Sequence, residues 1–146
     1  MTDIELKFKG YEGYRLVRKW IGDTIKQMLP TDYAGIEIAL NEAINNAIKH
    51  GNEGRPDKRV AFRLKCIDNK RIIIRVKDEG KGFRQVHGSD GVPCMSKDSG
   101  RGIFIMRHFA DRIYYNKQGN EVMLVKNNSL DPVSSKKQLI TQGGTL

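Results

Sequence analysis

The stretch 37–52, EIALNEAINNAIKHGN, restricts the fold more than any other part of the chain. Read as a helix, it has Ile36, Leu40, Ala43 and Ala47 on one side and Ile44 and Ile48 beside them. Glu42, Asn46 and His50 fall at i, i+4 and i+8, so they share one face, with Lys49 next to them. The apolar sides pack into a core. The stripe of acid, amide and base must then look into a cleft, because buried polar groups need partners. Any fold adopted here has to enclose this helix and leave a cleft open along its polar face.

The flanking segments supply the enclosure. Residues 3–9, DIELKFK, alternate apolar and polar and form a half-buried strand ended by Gly10. Residues 12–29 switch to helical spacing. Leu16, Val17, Trp20, Ile21, Ile25, Met28 and Leu29 make an apolar face opposite Arg15, Arg18, Lys19, Lys26 and Gln27. Pro30 stops this helix, Thr31 or Asp32 caps the next, and Gly51 ends it as a left-handed residue. After a loop at 52–57, strands at 59–67 and 71–78 flank the turn Asp68-Asn69-Lys70. Ile72, Ile74, Val76 and Asp78 share one face of the second strand by its two-residue period. The opposite face of this hairpin carries Arg63, Lys65, Arg71, Arg75 and Lys77. If helices cover only the apolar face, the result is a two-layer α/β sandwich with an open, basic sheet face.

Residues 79–99 are irregular, with glycines at 80, 82, 88 and 91 and a proline at 93. GRG at 100–102 opens a helix over 103–111, where Ile103, Met106 and Phe109 or Ala110 follow helical spacing. Strands return at 112–116 and 121–126 around the turn Lys117-Gln118-Gly119-Asn120. The expected organisation is a single domain over 1–127 and a flexible tail over 128–146.

Composition narrows the function. With 146 residues, 38% hydrophobic and 29% charged, the chain suits one globular domain with a core. No apolar run approaches the ~18 residues of a membrane span, and the N-terminus lacks the apolar core of a signal peptide. A cytoplasmic protein is expected. Cys66 and Cys94 have no CxxC partner, and His50, His87 and His108 lack metal-ligand spacing. The net charge of +9 attracts polyanions or acidic protein surfaces. No aromatic residue interleaves the Arg63/Lys65/Arg71/Arg75/Lys77 set, so the basic face lacks the stacking platform of a nucleic-acid binder.

Three pieces border one cleft: the Glu42/Asn46 stripe, Asp78 with the EGKGF that follows it, and the glycine turn at 100–103. Each has a role if the ligand is a nucleoside triphosphate. Gly100 and Gly102 let backbone amides approach phosphate oxygens, and the helix N-terminus that follows adds positive potential. Lys97 and Arg101 supply further charge. Asn46 offers a neutral oxygen to Mg²⁺. Glu42, one turn earlier, can act as a general base near the γ-phosphate. Asp78 can accept from the adenine amino group, while Gly80 and Gly82 let the backbone come close to the base.

The order and spacing of these pieces resemble those of the GHKL, or Bergerat-fold, ATPases. Glu42-Ala-Ile-Asn-Asn46-Ala-Ile-Lys-His50-Gly51 is similar to their asparagine box, Asp78-Glu-Gly80-Lys-Gly82-Phe83 to the first glycine box, and Gly100-Arg-Gly102-Ile103 to the second. Within this superfamily the chain looks most like the bacterial anti-sigma factors that are also serine protein kinases. The resemblance implies an α+β fold, a two-layer sandwich whose mixed, mostly antiparallel sheet carries helices on one face. It implies ATP and Mg²⁺ as cofactors, with Glu42 as catalytic base, Asn46 as metal ligand and Asp78 as adenine reader. Lys49, Gly80, Gly82, Lys97, Gly100, Arg101, Gly102 and Ile103 would shape the nucleotide site, and 84–99 would be its mobile lid. The implied partners are a sigma factor and an anti-sigma antagonist phosphorylated on serine, and the implied assembly is a homodimer without membrane or nucleic acid. Two positions depart from the family pattern. Asp98 stands where an arginine contacts the γ-phosphate. Gly119-Asn120-Glu121-Val122 stands where a Gly-Thr pair opens the last strand. These departures leave room for an alternative, a nucleotide-gated binding module of the same fold without catalysis.

Overall fold

The computed structural model describes residues 2–82 and 97–129, with the backbone alone at 97–100. Strand β1 (Thr2–Lys9) leads directly into helix α1 (Gly10–Met28). Gly10 makes this corner with a φ of 57°, a left-handed value that glycine tolerates best. Helix α2 (Tyr33–Asn46) follows and ends in a single π-helical turn, Ala47–Gly51. Strands β2 (Arg59–Ile67) and β3 (Arg71–Lys77) form a hairpin, then come helix α3 (Lys97–Phe109) and strands β4 (Arg112–Tyr115) and β5 (Glu121–Asn127).

The five strands form one sheet in the order β1-β2-β3-β5-β4. Every pairing is antiparallel. The sheet therefore contains none of the parallel pairing that a mixed sheet would include, and the α+β sandwich otherwise stands as expected. The β2–β3 hairpin closes through Asp68 and Asn69, both left-handed, with the Lys70 N–H donating to the Ile67 carbonyl at 2.8 Å. Two successive positive φ values match the right-handed twist of the strands they join.

Alternation decides which face is covered. Val60, Phe62, Leu64 and Cys66 of β2 and Ile72, Ile74 and Val76 of β3 are all buried, while Arg63, Arg71, Arg75 and Lys77 are exposed on the other side. Helix α2 lies centrally in the helical layer. Ile36, Ala39, Leu40, Ala43 and Ile44, with Ala47 and Ile48 of the π turn, all reach the core. Each large aliphatic side chain removed from water in this way contributes about 1.5–3 kcal/mol.

Four expectations need correction. First, α1 docks through Tyr14, Ile21 and Ile25, with Leu29 buried just beyond its end, whereas Leu16 is 83% and Trp20 49% exposed. At 100° per residue these two point away from the Ile21/Ile25 line. Second, Asp32 stands at the N-cap of α2 but makes no side-chain capping bond. Its Oδ2 instead accepts from the Ser129 N–H and Oγ–H, at 3.1 and 2.7 Å. Third, Gly51 is not left-handed; Glu53 and Gly54 are. Its lack of a side chain serves another end, described below. Fourth, α3 begins at Lys97 rather than at 103, so GRG lies within its opening turns. The expected lid at 84–99 lies outside the described residues, apart from the backbone of 97–99 in α3. The tail over 130–146 also lies outside them. Asn128 and Ser129 are fastened, the first to the β2–β3 turn through the Lys70 and Asn69 carbonyls and the second to Asp32.

Candidate functional site

The polar face of α2 opens on a cleft of about 610 Å³ between the helix end and the β3–β5 end of the sheet. Ala43, Ala47, Val76 and Val122 form apolar walls, and Asn46, Asp78, Asn120 and Lys81 bring polar groups to it. This mixture suits a small organic ligand held by a few polar contacts.

The π turn sets the helix side of the cleft. Its wider loop, closed by the Asn52 N–H donating to the Ala47 carbonyl at 2.8 Å, brings His50 and Gly51 to the lining. Such turns recur at functional sites. Gly51 then lies against Asp78: a Cβ on Gly51 would overlap the Asp78 carboxylate. Likewise a Cβ on Gly80 would overlap the Gly51 carbonyl, and one on Gly82 the Gln118 carbonyl. These glycines therefore permit close packing of three chain segments around Asp78.

Asn52 fixes that packing. Only 3% exposed, it donates from Nδ2 to the Arg59 carbonyl at 2.9 Å and accepts at Oδ1 from the Glu79 N–H at 2.8 Å. One side chain thus ties the helix end to both the start of β2 and the turn after β3. Asp78 is held by its own N–H to the Asn120 carbonyl at 2.9 Å and by the Gly80 N–H to its Oδ1 at 2.8 Å. Burial pushes its carboxyl up to about 6, and the Gly80 N–H opposes the rise. The nearby Tyr115 hydroxyl is raised too, by desolvation.

At the other end of the cleft α3 crosses α2. A Cβ on Gly102 would stand 3.1 Å from Asn46 Nδ2 and 3.2 Å from Glu42 Oε2, so both side chains face this point of α3. Asn46 Nδ2 is buried without a hydrogen-bond partner among the described residues. An orphaned amide in a cleft wall is an expensive arrangement that a ligand can relieve.

Glu42, Asn46 and Gly102 thus meet at one end, with Asp78, Gly80 and Gly82 toward the sheet. Glu42 does not line the cleft itself but sits beside Asn46 at its edge. Lys49 and Arg101 are exposed and outside the lining. Ile103 is buried in the core. Gly100 lies in the opening turns of α3, whose first residue, Lys97, has its side chain outside the described residues. Sequence reasoning missed Asn52 and Asn116, and named Asn120 only within the departure from the Gly-Thr pair. Their signal was asparagine at the ends of regular elements, where it bonds to backbone groups.

Residues 12–126 match the histidine kinase-like ATPase domain family. Similar curated proteins include the anti-sigma F factor of Anoxybacillus flavithermus, 30% identical over 135 residues, which covers 86% of this chain and 92% of that protein. The anti-sigma F factor of Halalkalibacterium halodurans is 32% identical over 102 residues, 66% of this chain and 69% of that protein. That of Heyndrickxia coagulans is 29% identical over 108 residues, 70% and 74% respectively. The chain belongs to the histidine kinase-like ATPase domain family, and within it to the anti-sigma factor group.

Proposed function

We propose that this chain is an ATP- and Mg²⁺-dependent serine kinase that acts as an anti-sigma switch. The observation that carries this reading is the meeting of Glu42, Asn46 and Gly102 at one end of a cleft whose other end holds Asp78 between apolar walls. Adenine lies between Ala43, Ala47, Val76 and Val122, with its amino group toward Asp78. The phosphates extend toward α3, where Gly100, Gly102 and the helix N-terminus favour anions. Arg101 and Lys49, both exposed, add positive charge on that side. Glu42 takes the proton from a substrate serine hydroxyl. The serine oxygen bonds to the γ-phosphorus as the bond to the β–γ bridging oxygen breaks, and ADP leaves.

The donor set fits Mg²⁺. Among the described residues no three His, Cys, Asp or Glu side chains gather to hold a metal. Mg²⁺ needs no such cage, because it keeps phosphate oxygens and waters in its shell. Asn46 is the residue that would hold it, and when bound the ion neutralises phosphate charge.

The relatives' name points to a sigma factor as one partner, and the family logic to an antagonist protein as the phosphorylated one. A homodimer in the cytoplasm completes this reading. No helix among the described residues is long and apolar enough to cross a membrane. Asp98 favours a second reading, because it precedes Ser99-Gly100 at the position where the resemblance implies an arginine for the γ-phosphate, and an acid in that role is unfavourable. In that reading nucleotide alters partner affinity and nothing is phosphorylated.

Saturating ATP with Mg²⁺ at a hundredfold above Kd should raise Tm by about 5–10 °C. Asn46→Ala and Asp78→Asn should abolish most of that rise, and no rise in the wild type would sink both readings. Phosphate transfer to the cognate antagonist, absent in Glu42→Ala, separates kinase from binding module. Nucleotide-dependent partner binding with no transfer by either protein would establish the second reading.

A further inference from the structure

We propose that Asn120 is a base-selecting residue: its side-chain amide donates to the N1 of adenine while Asp78 accepts from the adjacent amino group. This assignment rests on the nucleotide reading of the cleft and names what selects the base.

The orientation of Asn120 follows from its neighbour. Asn116, just after β4, accepts at Oδ1 from three backbone N–H groups: Gly119 at 2.8 Å, Asn120 at 3.0 Å and Glu121 at 3.2 Å. Only the oxygen of an amide can accept three donors, so Asn116 must present its NH₂ elsewhere. That NH₂ donates to Asn120 Oδ1 at 2.6 Å. Two NH₂ groups facing each other would repel, so the Asn120 oxygen is committed to Asn116 and its own NH₂ is turned away from it. The backbone of Asn120 is also fully used, its N–H by Asn116 Oδ1 and its carbonyl by the Asp78 N–H at 2.9 Å. Among the described residues, the Nδ2 of Asn120 is its remaining donor without a partner. The residue is only 7% exposed and lines the cleft together with Asp78.

The backbone bond between Asp78 and Asn120 makes the two residues neighbours on adjacent chain segments. One side chain accepts and the other donates. Adenine offers the complement on adjacent atoms, an amino donor at C6 and an acceptor at N1. Hypoxanthine and guanine offer the reverse, a carbonyl at C6 and an N1–H. In the same placement their oxygen meets the Asp78 carboxylate and their N1–H meets the Asn120 NH₂. A site whose buried polar groups would be left unpaired rejects an analogue strongly.

The test compares ATP, its 1-deaza analogue and ITP by calorimetry on the full chain with Mg²⁺. Wild type should bind 1-deaza-ATP about tenfold more weakly than ATP, the scale of one buried hydrogen bond, and ITP more weakly still. Asn120→Asp keeps the acceptor for Asn116 and removes the donor, so the β4–β5 turn persists. It should bind ATP about tenfold more weakly and treat ATP and 1-deaza-ATP alike. Asn120→Ala should also lose the distinction. A role confined to holding the turn would weaken both ligands equally and leave their ratio unchanged. A wild type indifferent to N1, or a ratio that survives in both variants, overturns the assignment while leaving ATP binding intact. A wild type that binds no purine triphosphate overturns the nucleotide reading and this assignment with it.

Discussion

Asp78 couples folding and binding with opposite signs. Its carboxyl, raised by burial from 3.8 to about 6, is destabilised as an anion in the ligand-free fold. Between those two values the native state holds a proton that the unfolded chain releases, so this group stabilises the fold as pH falls through that window. A bound adenine amino group requires the anion, so binding should weaken as pH drops below about 6. The expected result is an ATP-induced Tm rise that shrinks from pH 7 to pH 5, while the ligand-free Tm gains a stabilising contribution from this group. In Asp78→Asn that contribution should vanish, and the residual ATP response should lose its pH dependence over the same range. An ATP response in the wild type that is flat across this range would show that the ionised carboxylate is not what the base needs. The position of Asp78 was legible from parity alone, since it follows Ile72, Ile74 and Val76 in register. The asparagines that hold it were not, because a side chain bonding to distant backbone, as Asn52 does to Arg59 and Glu79, leaves no period in the sequence.

At the level of elements, strand and helix periods carried over well. The ranges of β2 and β3 follow alternation, and α2 follows its apolar sides. One exception is α3, where glycine suggested a turn and the structure has a helix. Glycine in a helix costs up to about 1 kcal/mol relative to alanine, so its presence at 102 needs a reason. Asn46 and Glu42 provide one, because a Cβ would stand only 3.1 and 3.2 Å from their side chains, tighter than an ordinary contact. Gly102→Ala therefore has opposed effects: better helix propensity against a crowded contact. Its net change in stability should stay within about 1 kcal/mol. The displaced Asn46 and Glu42 should nevertheless reduce ATP affinity and phosphate transfer by tenfold or more, since small misplacements at a reacting centre are costly. Denaturant melts and transfer rates measured on the same variant check both halves. Unchanged transfer would mean that α2 and α3 can separate at this crossing without loss of function.

At the scale of the whole molecule, the described residues form one core, set between the inner sheet face and the three helices, and the surfaces it leaves uncovered include two. One is the basic sheet face, where Arg63 bonds Asp3 through two contacts of 3.0 and 2.8 Å across β1 and β2. The other is the outer side of α1, with Tyr11, Leu16 and Trp20. Sequence periodicity assigned Leu16 and Trp20 to the core because an apolar residue in a helix is first presumed buried, and a helix with two apolar sides gives no internal sign of which one docks. Tertiary packing decides it: the side with Tyr14, Ile21 and Ile25 is the one that meets the rest of the fold, and Tyr14 is further held by its hydroxyl donating to Asn41. The core therefore does not depend on the outer side. Replacing Leu16 and Trp20 together by lysine should leave the stability of the chain within about 0.5 kcal/mol and the ATP-induced Tm rise unaltered. Ile21→Ala, on the docked side of the same helix, should cost about 2–5 kcal/mol. The contrast is measured by urea unfolding of the two variants against wild type. A double-lysine variant that loses several kcal/mol, with the loss shrinking as protein is diluted, would mean that another copy covers this side of α1 in solution.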